Sequence, residues 1–185
     1  LASCVLLLNL HSNVLFSIMF FLRGKIQPNS VSHRLALFCT FAPMRILILN
    51  GPNLNLLGKR EPEIYGSETF EDILEALREA HPQIEIDYYQ SNHEGQIIDR
   101  LQATLKEDWQ GIILNMGAFT HYSYAIADCL RMIKTPKVEV HISHIYQREA
   151  FRHQSVTAPA CDGMITGLGT EGYGLALQWL LKRTT

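Results

Sequence analysis

The chain has 185 residues, 47% hydrophobic and 18% charged, with a formal net charge of −2. That balance excludes a disordered chain and offers no basic field for a nucleic-acid backbone, so an anionic ligand has to be met by local groups. Cys4, Cys39, Cys129 and Cys161 form no CxxC pair and no zinc-like spacing; they are expected as free thiols of a reducing, cytoplasmic compartment.

Residues 1–22 are almost uncharged and rich in Leu, Phe, Val and Ile, and Arg23 and Lys25 follow them. The stretch approaches a membrane span of about 20 residues. However, Asn9, His11, Ser12 and Asn13 interrupt its middle and no positive segment precedes it. Residues 23–43 are irregular and end in Ala42-Pro43. The preferred reading takes residues 1–43 as upstream translated sequence or a disordered extension, with the folded domain over 44–185. A membrane or targeting segment is the other reading, and Arg23 and Lys25 would then hold the domain on the cytoplasmic side.

From Met44 onward, strands and helices alternate. Arg45 to Leu49 is an apolar run ended by Asn50-Gly51-Pro52. Thr69 caps a predicted helix with Asp72 three residues on, and Phe70, Ile73, Leu74 and Leu77 give it one apolar face before His81-Pro82 ends it. Ile84 to Gln90 reads as a second strand. Ile97, Ile98, Leu101 and Leu105 mark a second helix, and Gly111 to Leu114 is a short, wholly apolar strand of the kind covered on both faces. Ala125, Ile126, Cys129, Leu130 and Ile133 mark a third helix, Val138 to Ile142 a fourth strand and Met164 to Thr166 a fifth. Leu175, Leu177, Trp179 and Leu180 mark the last helix. Five strands alternating with helices imply an α/β fold with a five-stranded parallel sheet and right-handed crossovers. At this size the flavodoxin-like, doubly wound order 2-1-3-4-5 is expected.

In such a sheet, ligands bind beyond the carboxyl ends of the strands. Strand 1 is followed by Asn50-Gly-Pro-Asn53, strand 2 by Ser91-Asn92-His93-Glu94 and strand 3 by Asn115-Met-Gly117 with Thr120-His121. Strand 4 ends in Glu139-Val-His141-Ile-Ser143-His144. Any one of these is more often a turn or cap; four on one edge favour a polar small-molecule site. Glu139 and His141 lie two residues apart on a strand and therefore share a face. A carboxylate beside an imidazole fixes its tautomer and favours its protonated form, which suits a general acid, although a satisfied structural histidine is an equal alternative for the pair alone. The 17 residues between Gly51 and Thr69 are long for a βα connection and carry Arg60 and Tyr65. A guanidinium near a phenol favours the phenolate; lowering a tyrosine by about 3 pH units from its ordinary value of about 10 takes roughly 4 kcal/mol.

Gly167-Leu-Gly169-Thr-Glu-Gly172 matches a dinucleotide-binding pattern, but it opens the last βα unit with too little chain left for the acidic partner that pattern requires. It is read as a tight turn with close helix packing. His93, His121, His141, His144 and His153 show no metal-site spacing, and no metal or cofactor is expected.

Asn50-Gly-Pro-Asn-Leu-Asn-Leu-Leu-Gly58, Arg60-Glu-Pro-Glu-Ile-Tyr-Gly66, Gln90-Ser-Asn-His-Glu-Gly95, Glu139-Val-His-Ile-Ser143 and Phe151-Arg-His153 together resemble type II 3-dehydroquinate dehydratases, in order, from Met44 almost to the C-terminus. Residues 1–43 have no counterpart. The resemblance implies dehydration of 3-dehydroquinate to 3-dehydroshikimate in the shikimate pathway, or in quinate breakdown, through an enolate and without metal or cofactor. It implies Tyr65 as base with Arg60 beside it, Asn53 as holder of an enolate-stabilising water, and His141 as acid oriented by Glu139. It implies Asn115, His121 and Arg152 as contacts to substrate hydroxyls, and Ile142 and Ser143 as carboxylate binders. Asp128 would reach a neighbouring subunit's site, Arg148 would support the lid, and the assembly would be a homododecamer of four trimers.

Met116, Phe119, Tyr122, His144 and Ala150 depart from the common family pattern; none is an implied catalytic group, and they are expected to affect packing at the site mouth or rates without removing the activity. The competing expectation is a flavodoxin-like module that binds a small anion or nucleotide without catalysis. Such a binder has no need of an ordered acid and base.

Overall fold

In a computed structural model, residues 43–59 and 68–183 are described. Readings that fall on Arg60, Tyr65 and the N-terminal extension lie outside the described residues. Five strands, β1 (Met44–Asn50), β2 (Ile84–Gln90), β3 (Gly111–Asn115), β4 (Lys137–His141) and β5 (Gly163–Thr166), form one sheet in the order β2-β1-β3-β4-β5. Every pairing is parallel, as the alternation of strands and helices predicts. β1, flanked by β2 and β3, is buried from Ile46 to Asn50.

Strand alternation divides the core in two. Ile46, Ile48, Ile113, Val138 and Val140 pack with helices α1 (Phe70–Ala80) and α4 (Glu171–Arg183) on one face. Leu47, Leu49, Ile112 and Leu114 pack with α2 (Glu94–Ala103) and α3 (Tyr124–Met132) on the other. On β4 this alternation puts Lys137, Glu139 and His141 on the α3 side, where β1 and β3 carry leucine and isoleucine. All three are buried. A polar stripe on an apolar face is costly unless every group is paired, and the Lys137 ammonium is paired by the Ile133 carbonyl at 2.7 Å and the Thr135 carbonyl at 3.3 Å, just past the end of α3.

Local signals set most helix boundaries. Thr69 and Asp72 form the expected capping box, the Thr69 Oγ1 accepting from the Asp72 N–H at 3.2 Å and the Asp72 carboxylate accepting from the Thr69 N–H at 3.0 Å. Ser123 caps α3 by accepting from the Ile126 N–H at 3.0 Å. Three apolar assignments need correction. Leu105 is 53% exposed because α2 ends at Ala103 and the 3-10 turn Thr104–Lys106 advances faster per residue, turning Thr104 inward instead. Ala125 is exposed and Ala127 takes the buried position on α3. Leu175 faces outward, while Tyr173, Ala176, Leu177 and Leu180 form the buried face of α4.

The glycine pattern at 167–172 is the expected turn. Gly167 and Gly169 have φ of 84° and 61°, a region β-carbons disfavour, and their N–H groups donate to the carbonyls of His141 and Ile142 at 3.1 and 3.0 Å. The turn thereby braces the backbone just past β4. No helix among the described residues is long and apolar enough to cross a membrane.

Candidate active site

The carboxyl ends of β1, β3 and β4 border a cavity lined by Asn53, Asn115, His121, His141, Ser143 and Arg152, with Ile142, Arg148 and the apolar Leu54 and Leu57 around them. The crossing of a parallel sheet explains the convergence: each strand ends at the same edge and hands its following loop to one crevice. Of the four polar loops expected to meet there, three line the cavity. The loop after β2 acts from behind: the Asn92 side-chain oxygen accepts from the Asn53 N–H at 2.9 Å and from Gln90 Nε2 at 3.1 Å. Asn53 itself has φ of 67°, a left-handed conformation that asparagine tolerates better than most residues. A brace from β2 thus holds a backbone turn that aims Asn53 at the cavity.

His141 donates from Nε2 to Glu139 Oε1 at 2.7 Å, across the same strand face. That leaves Nδ1 as the ring atom available to the cavity. Glu139 is fully buried and receives two further donors, Ser155 Oγ on Oε1 at 2.8 Å and Thr157 Oγ1 on Oε2 at 2.5 Å. Those hydroxyls had no distinguishing mark in the sequence. The Glu139 spacing marked a carboxylate on the strand face, and a buried carboxylate demands donors, but which hydroxyls supply them depends on how residues 150–158 fold back.

The second histidine is set the other way round. His121 Nδ1 is 2.8 Å from the Gln154 carbonyl, which only accepts, so Nδ1 carries the proton and Nε2 is left with its lone pair. Its ring lies 6.4 Å from that of His141 at 17° between planes. Burial pulls the His121 pKa below the ordinary histidine value, against the Gln154 carbonyl, which raises it; neighbouring His141 and Arg152 lower it further. The site therefore pairs an imidazole held by a carboxylate with one biased toward neutrality.

Asn115, only 4% exposed, donates from Nδ2 to the Tyr173 hydroxyl at 3.0 Å, and its Oδ1 accepts from the Gly117 N–H at 3.2 Å. Tyr173 in turn donates to Asn50 Oδ1 at 2.9 Å. Tyr173 escaped the sequence reading because its helix was recognised by Leu175, Leu177, Trp179 and Leu180, all beyond it in the chain. Arg152 Nε donates to Glu149 at 2.8 Å, and Arg148 Nε lies 3.5 Å from the same carboxylate. Glu149 has its carboxyl pKa lowered, first by its own backbone N–H and then by Arg152. Arg148 also donates to Ser143 Oγ at 3.3 Å. No carboxylate belongs to the described lining of the cavity, whose titratable groups are guanidiniums and imidazoles; the lining is suited to an anion, although the chain is acidic overall.

Asp128 stands apart from this cavity, exposed on α3 and paired with Arg131. Met116 is fully buried and Phe119 nearly so, both in the core below the site rather than at its mouth. Among the described residues no group of three or more His, Cys, Asp or Glu side chains is arranged to hold a metal ion.

The family model for dehydroquinase class II matches residues 44–181. The chain is 52% identical over 142 residues to a protein of Thermotoga petrophila named 3-dehydroquinate dehydratase, covering 76% of this chain and 96% of that one. It is 52% identical over 138 residues to one of the same name from Bacillus pumilus, covering 74% and 93%. The crystal structure of type II dehydroquinase from Butyrivibrio crossotus superposes with a TM-score of 0.72 at 50% identity, covering 75% of this chain and 97% of that chain. The enzyme from Propionibacterium acnes superposes at 0.71 and 41% identity, covering 75% and 96%. With the sheet order, the strand-end cavity and these matches in agreement, the chain belongs to the class II dehydroquinase family.

Proposed function

We propose that the domain over residues 44–185 is a hydro-lyase that converts 3-dehydroquinate to 3-dehydroshikimate in the shikimate pathway. The observation that carries this reading is the buried Glu139 paired with His141 on the wall of a cavity whose described lining holds two guanidiniums and no carboxylate. Elimination of water needs one base and one acid. Tyr65, as tyrosinate beside Arg60, removes the C2 proton next to the ketone and leaves an enolate; these two assignments rest on the sequence motif. A water held by Asn53 stabilises the enolate oxygen. His141 then gives a proton to the departing C1 hydroxyl, which leaves as water as the C1–C2 double bond forms. Its pairing with the buried Glu139 supports this role, because a carboxylate stabilises the imidazolium that must donate.

Asn115, His121 and Arg152 contact the substrate hydroxyls, a reading supported by their lining the same cavity as His141. The lone pair left on His121 Nε2 is suited to accept from a hydroxyl. The backbone N–H groups of Ile142 and Ser143, with the Ser143 hydroxyl, take the carboxylate. Arg148 supports the lid. Asp128, exposed and remote from its own cavity, serves the site of a neighbouring subunit in a homododecamer. The protein works in the cytoplasm, needs no metal or cofactor, and binds neither nucleic acid nor, through this domain, membrane. Residues 1–43 form an extension outside the catalytic domain.

The direct test is ultraviolet absorbance of purified protein mixed with 3-dehydroquinate. The conjugated enone product absorbs and the substrate does not, so a folded protein that produces no rise in absorbance would defeat the proposal in favour of a binding module.

A further inference from the structure

Glu139 has no exposed surface, yet every hydrogen bond its carboxylate makes among the described residues is one it accepts. His141 Nε2 and Ser155 Oγ converge on Oε1 at 2.7 and 2.8 Å, and Thr157 Oγ1 donates to Oε2 at 2.5 Å. The relay continues inward. Because the single Thr157 proton points at the carboxylate, the Thr120 hydroxyl, 3.0 Å away and fully buried, is the donor to Thr157 Oγ1. Ser155 Oγ is itself pinned by the Ala158 N–H at 2.8 Å. One segment, residues 154–157, therefore sets both site histidines: Gln154 holds His121 through its carbonyl, and Ser155 and Thr157 hold His141 through Glu139.

We propose that Ser155 and Thr157, with Thr120 behind them, are positioning residues that keep the proton of the buried Glu139–His141 pair on the imidazole. The inference rests on His141 being the acid of the proposed reaction. The pair with one proton has two forms: carboxylate with imidazolium, and carboxylic acid with neutral imidazole. Hydroxyl donors to both carboxylate oxygens stabilise the first form more than the second, since a protonated carboxyl accepts fewer and weaker hydrogen bonds. Without them a dry carboxylate takes the proton back, and the acid that must protonate the leaving hydroxyl is absent. Among the described residues, the other titratable groups facing the pair are His121 on the turn after β3, Arg152 on the turn after β4, Lys137 on β4, and Cys161 before β5. None of them supplies a hydrogen bond to the carboxylate.

The mechanism makes a coupled prediction. Withdrawing a donor destabilises the ion pair and the fully deprotonated pair alike, because both contain the carboxylate. The plateau kcat therefore falls by the factor by which the ion pair's share of the singly protonated pair shrinks, and the high-pH limb of the kcat profile moves upward by the logarithm of that same factor. A tenfold fall accompanies a rise of about one pH unit, and variant and wild type converge at high pH. A residue with a merely structural role lowers the whole profile without moving the limb.

The test uses the full chain and the variants Thr157→Val, which keeps the shape, and Thr157→Ser, which restores the hydroxyl. Expected for Thr157→Val are a kcat lower by about tenfold, KM within about twofold of wild type, and the matching upward limb shift, with Thr157→Ser returning toward wild type. In parallel, 15N resonances of the His141 imidazole should show less imidazolium in Thr157→Val at a pH where the wild type is protonated. A folded Thr157→Val with the wild-type limb and the wild-type imidazole signal overturns the proposal, as does a loss that Thr157→Ser does not recover. If Thr157→Val does not fold, Ser155→Ala on the other carboxylate oxygen is read by the same criteria. If the wild type fails to dehydrate 3-dehydroquinate, the reaction assignment falls, and the imidazole resonances alone decide whether the hydroxyls govern the pair.

Discussion

The hydroxyl of Tyr173 accepts a hydrogen bond from the amide of Asn115 at 3.0 Å, joining two residues 58 positions apart at the floor of the cavity. The same hydroxyl donates to Asn50 Oδ1 at 2.9 Å, so one phenol orders the ends of both β1 and β3. Burial raises its pKa well above the ordinary tyrosine value, which keeps it a neutral donor at any working pH. Replacing Tyr173 by Phe strands a buried amide donor and a buried amide acceptor. A loss of about 1–3 kcal/mol is expected in urea unfolding, together with a raised KM as Asn115 loses its orientation. Unchanged stability and KM would refute the role of the hydroxyl.

Gly51 sits where β1 leaves the sheet, its N–H donating to the Asn115 carbonyl at 2.7 Å. A β-carbon there would stand 2.4 Å from the Met116 carbonyl oxygen and 2.6 Å from its carbon. Both are backbone atoms of the neighbouring strand end and cannot swing aside. Gly51→Ala should cost about 3 kcal/mol or more, or prevent folding outright. Near-normal yield and melting temperature would contradict this packing.

The lowered pKa of His121 gives stability a pH dependence with a definite sign. Burial makes the folded chain bind the His121 proton less readily than the unfolded chain does. The contribution of the neutral ring is complete above the ordinary histidine value of 6.5 and is lost as pH falls through it toward the lowered folded value. Thermal unfolding of wild type should therefore weaken across that interval, and His121→Gln should flatten the trend. Equal slopes for the two proteins would remove His121 as its cause.

Cys161 has its thiol pushed up to about 12, first by burial and then by Glu139, and burial raises Cys129 as well. Neither thiolate is populated near neutral pH, so iodoacetamide should leave both unmodified in native protein and alkylate both after unfolding, as read by peptide mapping. Rapid native labelling of either one would mean that its surroundings are more open than the packing indicates.

For the reaction itself, Tyr65→Phe and His141→Ala should each abolish turnover of 3-dehydroquinate while circular dichroism stays unchanged. Appreciable rates in either variant would remove that residue from the mechanism. Borohydride with substrate should not inactivate the protein, because an enolate route forms no lysine imine, and a chelator should have no effect.

Much of this architecture was legible in the sequence. Ile84–Gln90 matched β2 to the residue, and the Thr69 capping box marked the start of α1, since both depend on neighbours in sequence. The Glu139–His141 contact was legible for the same reason: two residues on one strand share a face. Leu105 and Ala125 were misplaced because a 3-10 turn and a small change of helical phase redirect side chains without changing composition.

The sequence by itself determined the alternation of strands and helices, the edge at which polar loops gather, and the motifs that mark the family. It did so because strand and helix periodicities and strand-end turns are local properties. Only the tertiary structure decided which donors satisfy Glu139, which phenol orders Asn115 and which tautomer His121 adopts. Those are debts of burial, met by whichever distant residues the packed chain brings within about 3 Å, and no spacing along the chain encodes them.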